Sequence, residues 1–275
     1  MVKKMTKGVD ISVHNGNVDF NALKAAGIQF VIIRCGYGSD FTYQDDERFA
    51  ENVRKADAAG MPWGVYLYSY ALNRDMAKSE AQHTLRLLAG RKPAYGVWYD
   101  VEDAQQAGAD LVSICEGYCT AIEAAGLYVG VYSALSWWNT KLNNSRLDKW
   151  DKWVAQWNSV CEYAKPYGIW QNTDRLSIGG KTFDGNFAYK DYPALTGAVK
   201  KEEAKVTYEQ FKEYMTRYQQ EQAAKPVSGW AEKAVEHVKE TGAMVGDGNG
   251  KFRPQSPVTR QELAQVLYNR DTRKT

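Results

Sequence analysis

The 275-residue chain is poor in the groups that carry metal and redox chemistry. It has three histidines and four cysteines, and Cys35, Cys115, Cys119 and Cys161 form neither a C-x-x-C pair nor a zinc spacing. Buried free thiols are the reading that remains, and no metal or cofactor is implied. No apolar run approaches the roughly 20 residues of a membrane-spanning helix. Residues 1–8, MVKKMTKG, carry lysines but no apolar stretch behind them, so no signal peptide is read there. The net charge of +2 offers no excess of cations for the phosphate neutralisation that drives nucleic-acid binding. Nucleic acid is therefore not an expected partner.

Aromatic residues are abundant. Nine Trp and 18 Tyr suit a core, an interface or a cleft that stacks on sugar rings, and the count alone does not choose. Hydrophobic residues at 44% and charged residues at 25% match ordinary globular usage, so a packed core needs no disulfide or metal. The length exceeds the roughly 150 residues of an average domain but fits one α/β barrel plus a small unit.

Short β-rich runs alternate with helical patterns over the first two thirds. GVDIS (8–12) precedes a helix carrying Phe20, Leu23 and Ala26, and FVIIRCG (30–36) precedes one over 46–59. WGVYLYSY (63–70) leads to a helix over 74–89, YGVWYDVE (95–102) to one over 110–125, and YVGVYS (128–133) to a shorter segment around 135–142. This βα alternation predicts a parallel sheet. After residue 150, KWVAQW, YGIWQN and KTFDGNF follow too closely for full helices between them. The fold expected is α/β, a TIM-like, irregular eight-stranded barrel with an abbreviated last third. Working groups should then lie at the carboxyl ends of its strands.

The boundaries expected are a barrel over 1–197, a charged helical linker over 198–227, and a small α-helical unit over 228–275. In the linker Tyr208, Phe211, Met215 and Tyr218 form one apolar stripe. Packing against a neighbouring domain is its simplest use, and a self-association seam is the alternative. In the tail, one helix holds Trp230, Ala231, Ala234, Val235 and Val238, and a second runs from Thr259 to about Tyr268. Thr259 and Glu262 form a capping box. GDGNG invites a calcium reading through Asp247 and Asn249, but Lys251 stands where a third ligand belongs. A turn is expected there.

The stretch YGVWYDVE ends an apolar strand on two acids spaced two apart. Residues i and i+2 share a face, so Asp100 and Glu102 should point the same way. A single acid after a strand often only caps the next helix, but a same-face pair on a barrel rim suggests chemistry. Asp10 in GVDIS and Asp184 in KTFDGNF bring acids from the first and last strands, which adjoin if the barrel closes. Four convergent carboxylates repel one another, and this should keep at least one protonated near neutrality, as a general acid requires. Glycoside cleavage fits paired carboxylates among Tyr and Trp. A magnesium or calcium site for phosphodiester cleavage is the competing chemistry. It lacks cationic support, for only Arg34 and His14 stand near the rim.

The stretches KGVDISVHNGNVDF, FVIIRCGYG, GVYLYSY, VWYDVED, GVYS, WVAQW, IWQ and FDGNF occur in this order over residues 7 to about 190. Together they resemble glycoside hydrolase family 25, the lysozymes that include many bacteriophage endolysins. The resemblance implies that Glu102 is the general acid and then the base. Asp100 and Asp184 would orient or polarise the substrate's 2-acetamido group, and Asp10 would hold that network. It further implies cleavage of the β-1,4 bond between N-acetylmuramic acid and N-acetylglucosamine in peptidoglycan, with retention through neighbouring-group participation. Arg34, Tyr66, Tyr68, Tyr132, Trp153, Gln156 and Gln171 take substrate-cleft positions in this reading.

The tail resembles a single surface-layer homology repeat, through Trp230, Ala234, GAMVGDGNGKFRP and the T-R-Q-E of Thr259 to Glu262. The resemblance implies binding of a secondary cell-wall polymer through Trp230, Arg260 and Glu262, with Arg260 contacting an anionic group. The family normally uses three repeats, and here there is one. Either chains assemble through residues 207–275 as a trimer or dimer, or the tail binds weakly or only packs. Acting as an endolysin, the chain would be made in the host cytoplasm and reach the wall after holin-dependent release. The alternative function is a non-catalytic wall-binding barrel.

Overall fold

A computed structural model describes residues 5–198, 207–247 and 251–272. The chain divides into two compact units, Met1–Lys201 and Glu202–Thr275.

The first unit is a closed eight-stranded barrel: β1 (Thr6–Ile11), β2 (Phe30–Tyr37), β3 (Trp63–Tyr68), β4 (Val97–Asp100), β5 (Val129–Ala134), β6 (Asp151–Ala155), β7 (Ile169–Ile178) and β8 (Lys181–Ala188). Helices α1 (Phe20–Ala25), α2 (Phe49–Ala58), α3 (Arg74–Leu88) and α4 (Leu111–Ala124) follow the first four strands, and a short α5 (Leu135–Asn139) follows the fifth. Asp19, Asn73 and Asp110 cap α1, α3 and α4 by accepting from first-turn N–H groups that would otherwise lack a partner.

One strand departs from the expected parallel sheet. β8 runs antiparallel to both β7 and β1, whereas every other neighbouring pair is parallel. Gly179 and Gly180 are the cause. Both have positive φ, 57° and 76°, and they alone separate Ile178 from its register partner Lys181. A parallel return needs a crossover of roughly a dozen residues, so two residues can only make a hairpin.

Period-two alternation divides the buried side chains into two cores. Val9, Ile11, Val31, Ile33, Val65, Leu67, Val97 and Val131 face outward and pack beneath the helices. Phe30, Ile32, Tyr95, Trp98, Tyr132, Trp153 and Tyr192 fill the barrel interior. At the amino end Tyr192, the first residue of α6 (Tyr192–Leu195), closes the barrel against Tyr95 and Trp98, with ring centroids 5.4 and 5.7 Å apart. Gly130 in β5 makes room for this filling, because a Cβ there would stand 2.4 Å from the Trp98 ring.

The second unit contains α7 (Tyr208–Ala223), α8 (Glu232–Glu240) and α9 (Arg260–Thr272). Gly242, with φ 65°, follows α8, and Thr259 and Glu262 make reciprocal capping bonds before α9. Asp247 accepts from the Lys251 N–H at 2.9 Å and pairs with Arg253, which closes a turn. Asn249 lies outside the described residues. The stripe of Tyr208, Phe211, Met215 and Tyr218 is exposed, so the burial expected of it is not found among the described residues.

Candidate active site

At the carboxyl end of the parallel strands a cleft of about 350 Å³ opens between Asp10, Asp100, Glu102, Asp184, Arg34 and a wall of Tyr66, Tyr68, Tyr132 and Trp153. The barrel brings all four acids to it. Asp10 and Asp184 are direct register partners across β1 and β8, and Asp100 ends β4 between Tyr68 and Tyr132. Because β8 runs backwards, Asp184 sits mid-strand rather than at a carboxyl end.

The four carboxyl groups have different surroundings. Asp10 is buried and accepts from Gln171 Nε2 at 3.0 Å and Asn186 Nδ2 at 2.7 Å. Those two amides are themselves held: Tyr132 and Trp157 donate to the Gln171 oxygen, at 3.1 and 3.2 Å, and Trp153 donates to the Asn186 oxygen at 2.8 Å. Burial, then the charge of Asp184, pushes the Asp10 carboxyl well above its usual range, and the two amides oppose the shift. Asp100 is 4% exposed, and its Oδ1 makes no hydrogen bond among the described residues. Burial, then the charges of Glu102 and Asp10, raises it too, against the pull of Arg34. Burial also raises Asp184, and a hydrogen bond from Asp10 opposes this.

Glu102 is the most exposed acid of the four, and Asp184 is half-buried. It lies just beyond β4, and the partial desolvation of its carboxyl within the cleft raises its pKa, with the Tyr132 hydroxyl opposing and the charges of Asp184 and Asp103 adding to the rise. The site therefore offers one exposed carboxyl with a raised pKa beside a half-buried one, Asp184, and two buried ones, Asp10 and Asp100. That arrangement suits proton donation to a leaving oxygen. Among the described residues, no three His, Cys, Asp or Glu side chains are arranged to hold a metal ion.

Arg34 donates to Asp46 at 2.8 Å, which holds its guanidinium over the cleft. A second cleft of about 510 Å³ adjoins the first through His14, Arg34 and Tyr68, and adds Tyr37, Tyr43 and Tyr70. Gln156 does not join this group. Its amide donates to Glu162 at 2.6 Å and accepts from the Glu162 N–H, so its side chain is engaged away from the acids. Trp230, Arg260 and Glu262 belong to the second unit: Trp230 is 90% exposed, Arg260 is exposed, and Glu262 spends its carboxylate on the cap with Thr259. Sequence reading passed over Asn186, Trp157, Asp46 and Tyr70. Asn186 stands two residues beyond Asp184 on the same face, a signal that period two could have supplied.

Comparison with known proteins identifies the family of the barrel. The model of glycosyl hydrolases family 25 matches residues 9–181, and that of the S-layer homology domain matches residues 224–264. The autolytic lysozyme of Clostridium acetobutylicum is 30% identical over 63% of this chain and 52% of its own length. The modular autolysin LytC of Streptococcus pneumoniae superposes with a TM-score of 0.61 at 30% identity, over 67% of this chain and 47% of that one. LytC has also been solved with a synthetic peptidoglycan ligand. The catalytic domain of endolysin ply40, from bacteriophage P40 of Listeria monocytogenes, gives 0.58 at 26% identity, over 70% and 97% of the two chains. This chain thus spans about half the length of the Clostridium lysozyme and of LytC. With its barrel matched from β1 to the start of β8, the chain belongs to glycosyl hydrolases family 25.

Proposed function

We propose that the chain is a muramidase, cleaving the β-1,4 bond between N-acetylmuramic acid and N-acetylglucosamine in peptidoglycan. The observation that carries the reading is the accessible Glu102 carboxyl, held toward its protonated form beside buried Asp100 and near Asp184. Glu102 gives its proton to the glycosidic oxygen as the C–O bond breaks. The substrate's own acetamido oxygen attacks the anomeric carbon, with Asp100 and Asp184 orienting that group and Asp10 holding the network. Glu102 then takes a proton from the water that opens the cyclic intermediate, and configuration is retained. No protein nucleophile is required, as in other substrate-assisted glycosidases. Arg34, Tyr66, Tyr68, Tyr132, Trp153 and Gln171 line the path of the glycan.

In this reading the protein works as a phage or prophage endolysin on the host wall after holin-dependent release. Residues 1–197 cut, 198–227 connect, and 228–275 bind a secondary wall polymer through Trp230 and Arg260. A second copy covers the exposed stripe of α7, so that a dimer or trimer gathers several single repeats and gains avidity on a polymeric surface. The S-layer homology match over residues 224–264 supports the wall-binding part.

Mass spectrometry of muropeptides released by the full chain tests the cleavage. Reducing N-acetylmuramic acid ends are expected, whereas reducing N-acetylglucosamine ends would make the enzyme a glucosaminidase, and no release would leave a binding barrel. For the tail, deleting residues 228–275 should weaken wall pelleting, and deleting residues 207–275, which removes the α7 stripe as well, should reduce the molar mass in solution to that of one truncated chain.

A further inference from the structure

Glu80 lies on the inward face of α3 with no solvent exposure, and no step of the proposed chemistry uses it. A buried carboxylate is costly unless donors surround it. Here one oxygen accepts from the Tyr70 backbone N–H at 2.8 Å, and the other from the Ser69 hydroxyl at 2.8 Å and the Tyr99 hydroxyl at 2.5 Å. Ser69 accepts in turn from Gln106 Nε2 at 2.9 Å and from the Ala71 N–H at 3.2 Å. The same Gln106 amide donates to the Ala71 carbonyl at 2.9 Å.

These partners flank the cleft. Ser69, Tyr70 and Ala71 form the segment that leaves β3 directly after Tyr68, Tyr99 precedes Asp100 on β4, and Gln106 sits four residues beyond Glu102. The Ser69 N–H also donates to the Asp100 carbonyl at 2.9 Å. One buried carboxylate thus ties the exits of two strands and the loop after Glu102 to a single helix. Above it the exposed Tyr70 ring lines the second cleft, edge-on to Tyr68 at 5.2 Å and to Tyr37 at 6.1 Å.

We propose that Glu80 is a positioning residue for glycan binding, fixing the Tyr70 ring as a wall of the cleft in register with the loop that follows Glu102. The inference rests on the muramidase reading. A wall set in place before the glycan arrives spares the cost of ordering it on binding. Displacing such a wall by about 1 Å can cost on the order of a hundredfold.

The test is steady-state kinetics of the full chain on soluble peptidoglycan glycan fragments, with hydrogen exchange at the Tyr70 amide as a readout that needs no activity. Glu80→Leu should raise KM about tenfold with kcat within about threefold. Glu80→Gln, which keeps an acceptor for Tyr70, should restore most of KM. Tyr70→Ala should raise KM, and adding Glu80→Leu to it should change little, because both act through one ring. The Tyr70 amide should exchange at least about tenfold faster in Glu80→Leu. Should Glu80→Leu not fold, Ser69→Ala takes its place in the same cycle, with a smaller rise in KM that vanishes beside Tyr70→Ala. Independent, additive effects on KM, or equal Tyr70 exchange, would overturn the inference. Absence of turnover in the unsubstituted chain would instead sink the muramidase reading, and this inference with it.

Discussion

Asp151 and Asp100 are both buried aspartates of one barrel, at opposite ends of its strands, and they are treated in opposite ways. Asp151 opens β6 at the closed end. It accepts from Tyr128 and Tyr192 at 2.8 and 2.6 Å, from the Lys152 N–H at 2.9 Å, and pairs with Lys190 at 2.8 Å. Asp100 ends β4 at the open end, with one oxygen making no hydrogen bond among the described residues and with acids for neighbours. Removing the first would leave its buried donors without an acceptor, at a cost to the fold, whereas the second, with one oxygen unbonded among the described residues, holds few donors that the fold would lose. The barrel therefore separates a sealed, aromatic, hydrogen-bonded base from a mouth where polar groups wait for a substrate.

Substitution at each aspartate can break that comparison. Asp100→Asn should cut turnover by at least about a hundredfold, the range of a lost transition-state contact, without lowering the melting temperature. A variant that kept activity but melted early would reverse the roles assigned here. At the base, Trp98→Ala should cost about 3–5 kcal/mol by opening a cavity among Phe30, Tyr192 and Trp153, measured by denaturant unfolding. Asp151→Ala should cost about 3 kcal/mol by leaving two tyrosine hydroxyls and Lys190 without an acceptor. Its surviving folded fraction should still turn over normally.

Titration sharpens the same contrast. Burial raises the folded-state pKa of Asp100 above its unfolded value, so the folded state holds the proton more tightly. That contribution is complete below about pH 4, the unfolded value for aspartate, and is lost as pH rises through the folded value. The melting temperature of Asp100→Asn should gain on that of the parent as pH rises above about 4. In the proposed mechanism the donor enters the reaction protonated, so activity should fall as pH rises through the raised pKa of Glu102. The smallest effect is expected at the hairpin, where Gly180→Ala forces a side chain into positive φ and should cost about 1 kcal/mol.

Much of this architecture is legible in the bare chain because the alternation of short apolar strands and helices is strong, and because Asp100 and Glu102 interrupt an apolar run. The reversed strand was not read, although its signal was present: the last strands are too closely spaced for crossover helices, and the pair Gly179–Gly180 marks a hairpin turn. Glu80 was not legible. On a helix read by periodicity a charged residue is assigned to solvent, and only the donors that Ser69, Tyr70 and Tyr99 bring from distant strands make its burial tolerable. Gln156 fails for a related reason. Position on a strand end does not determine a side chain's direction when a loop residue such as Glu162 offers both hydrogen bonds.

In the proposed mechanism Glu102 moves the proton while Asp100 and Asp184 manage the substrate. The most direct measurement is lysis of purified cell walls by Glu102→Gln, alongside its wall pelleting and melting temperature. Lysis should fall by about a hundredfold or more while pelleting and melting stay as in the parent. Lysis at the parent's rate by pure, folded Glu102→Gln would contradict the assignment and return the search to Asp100 and Asp184.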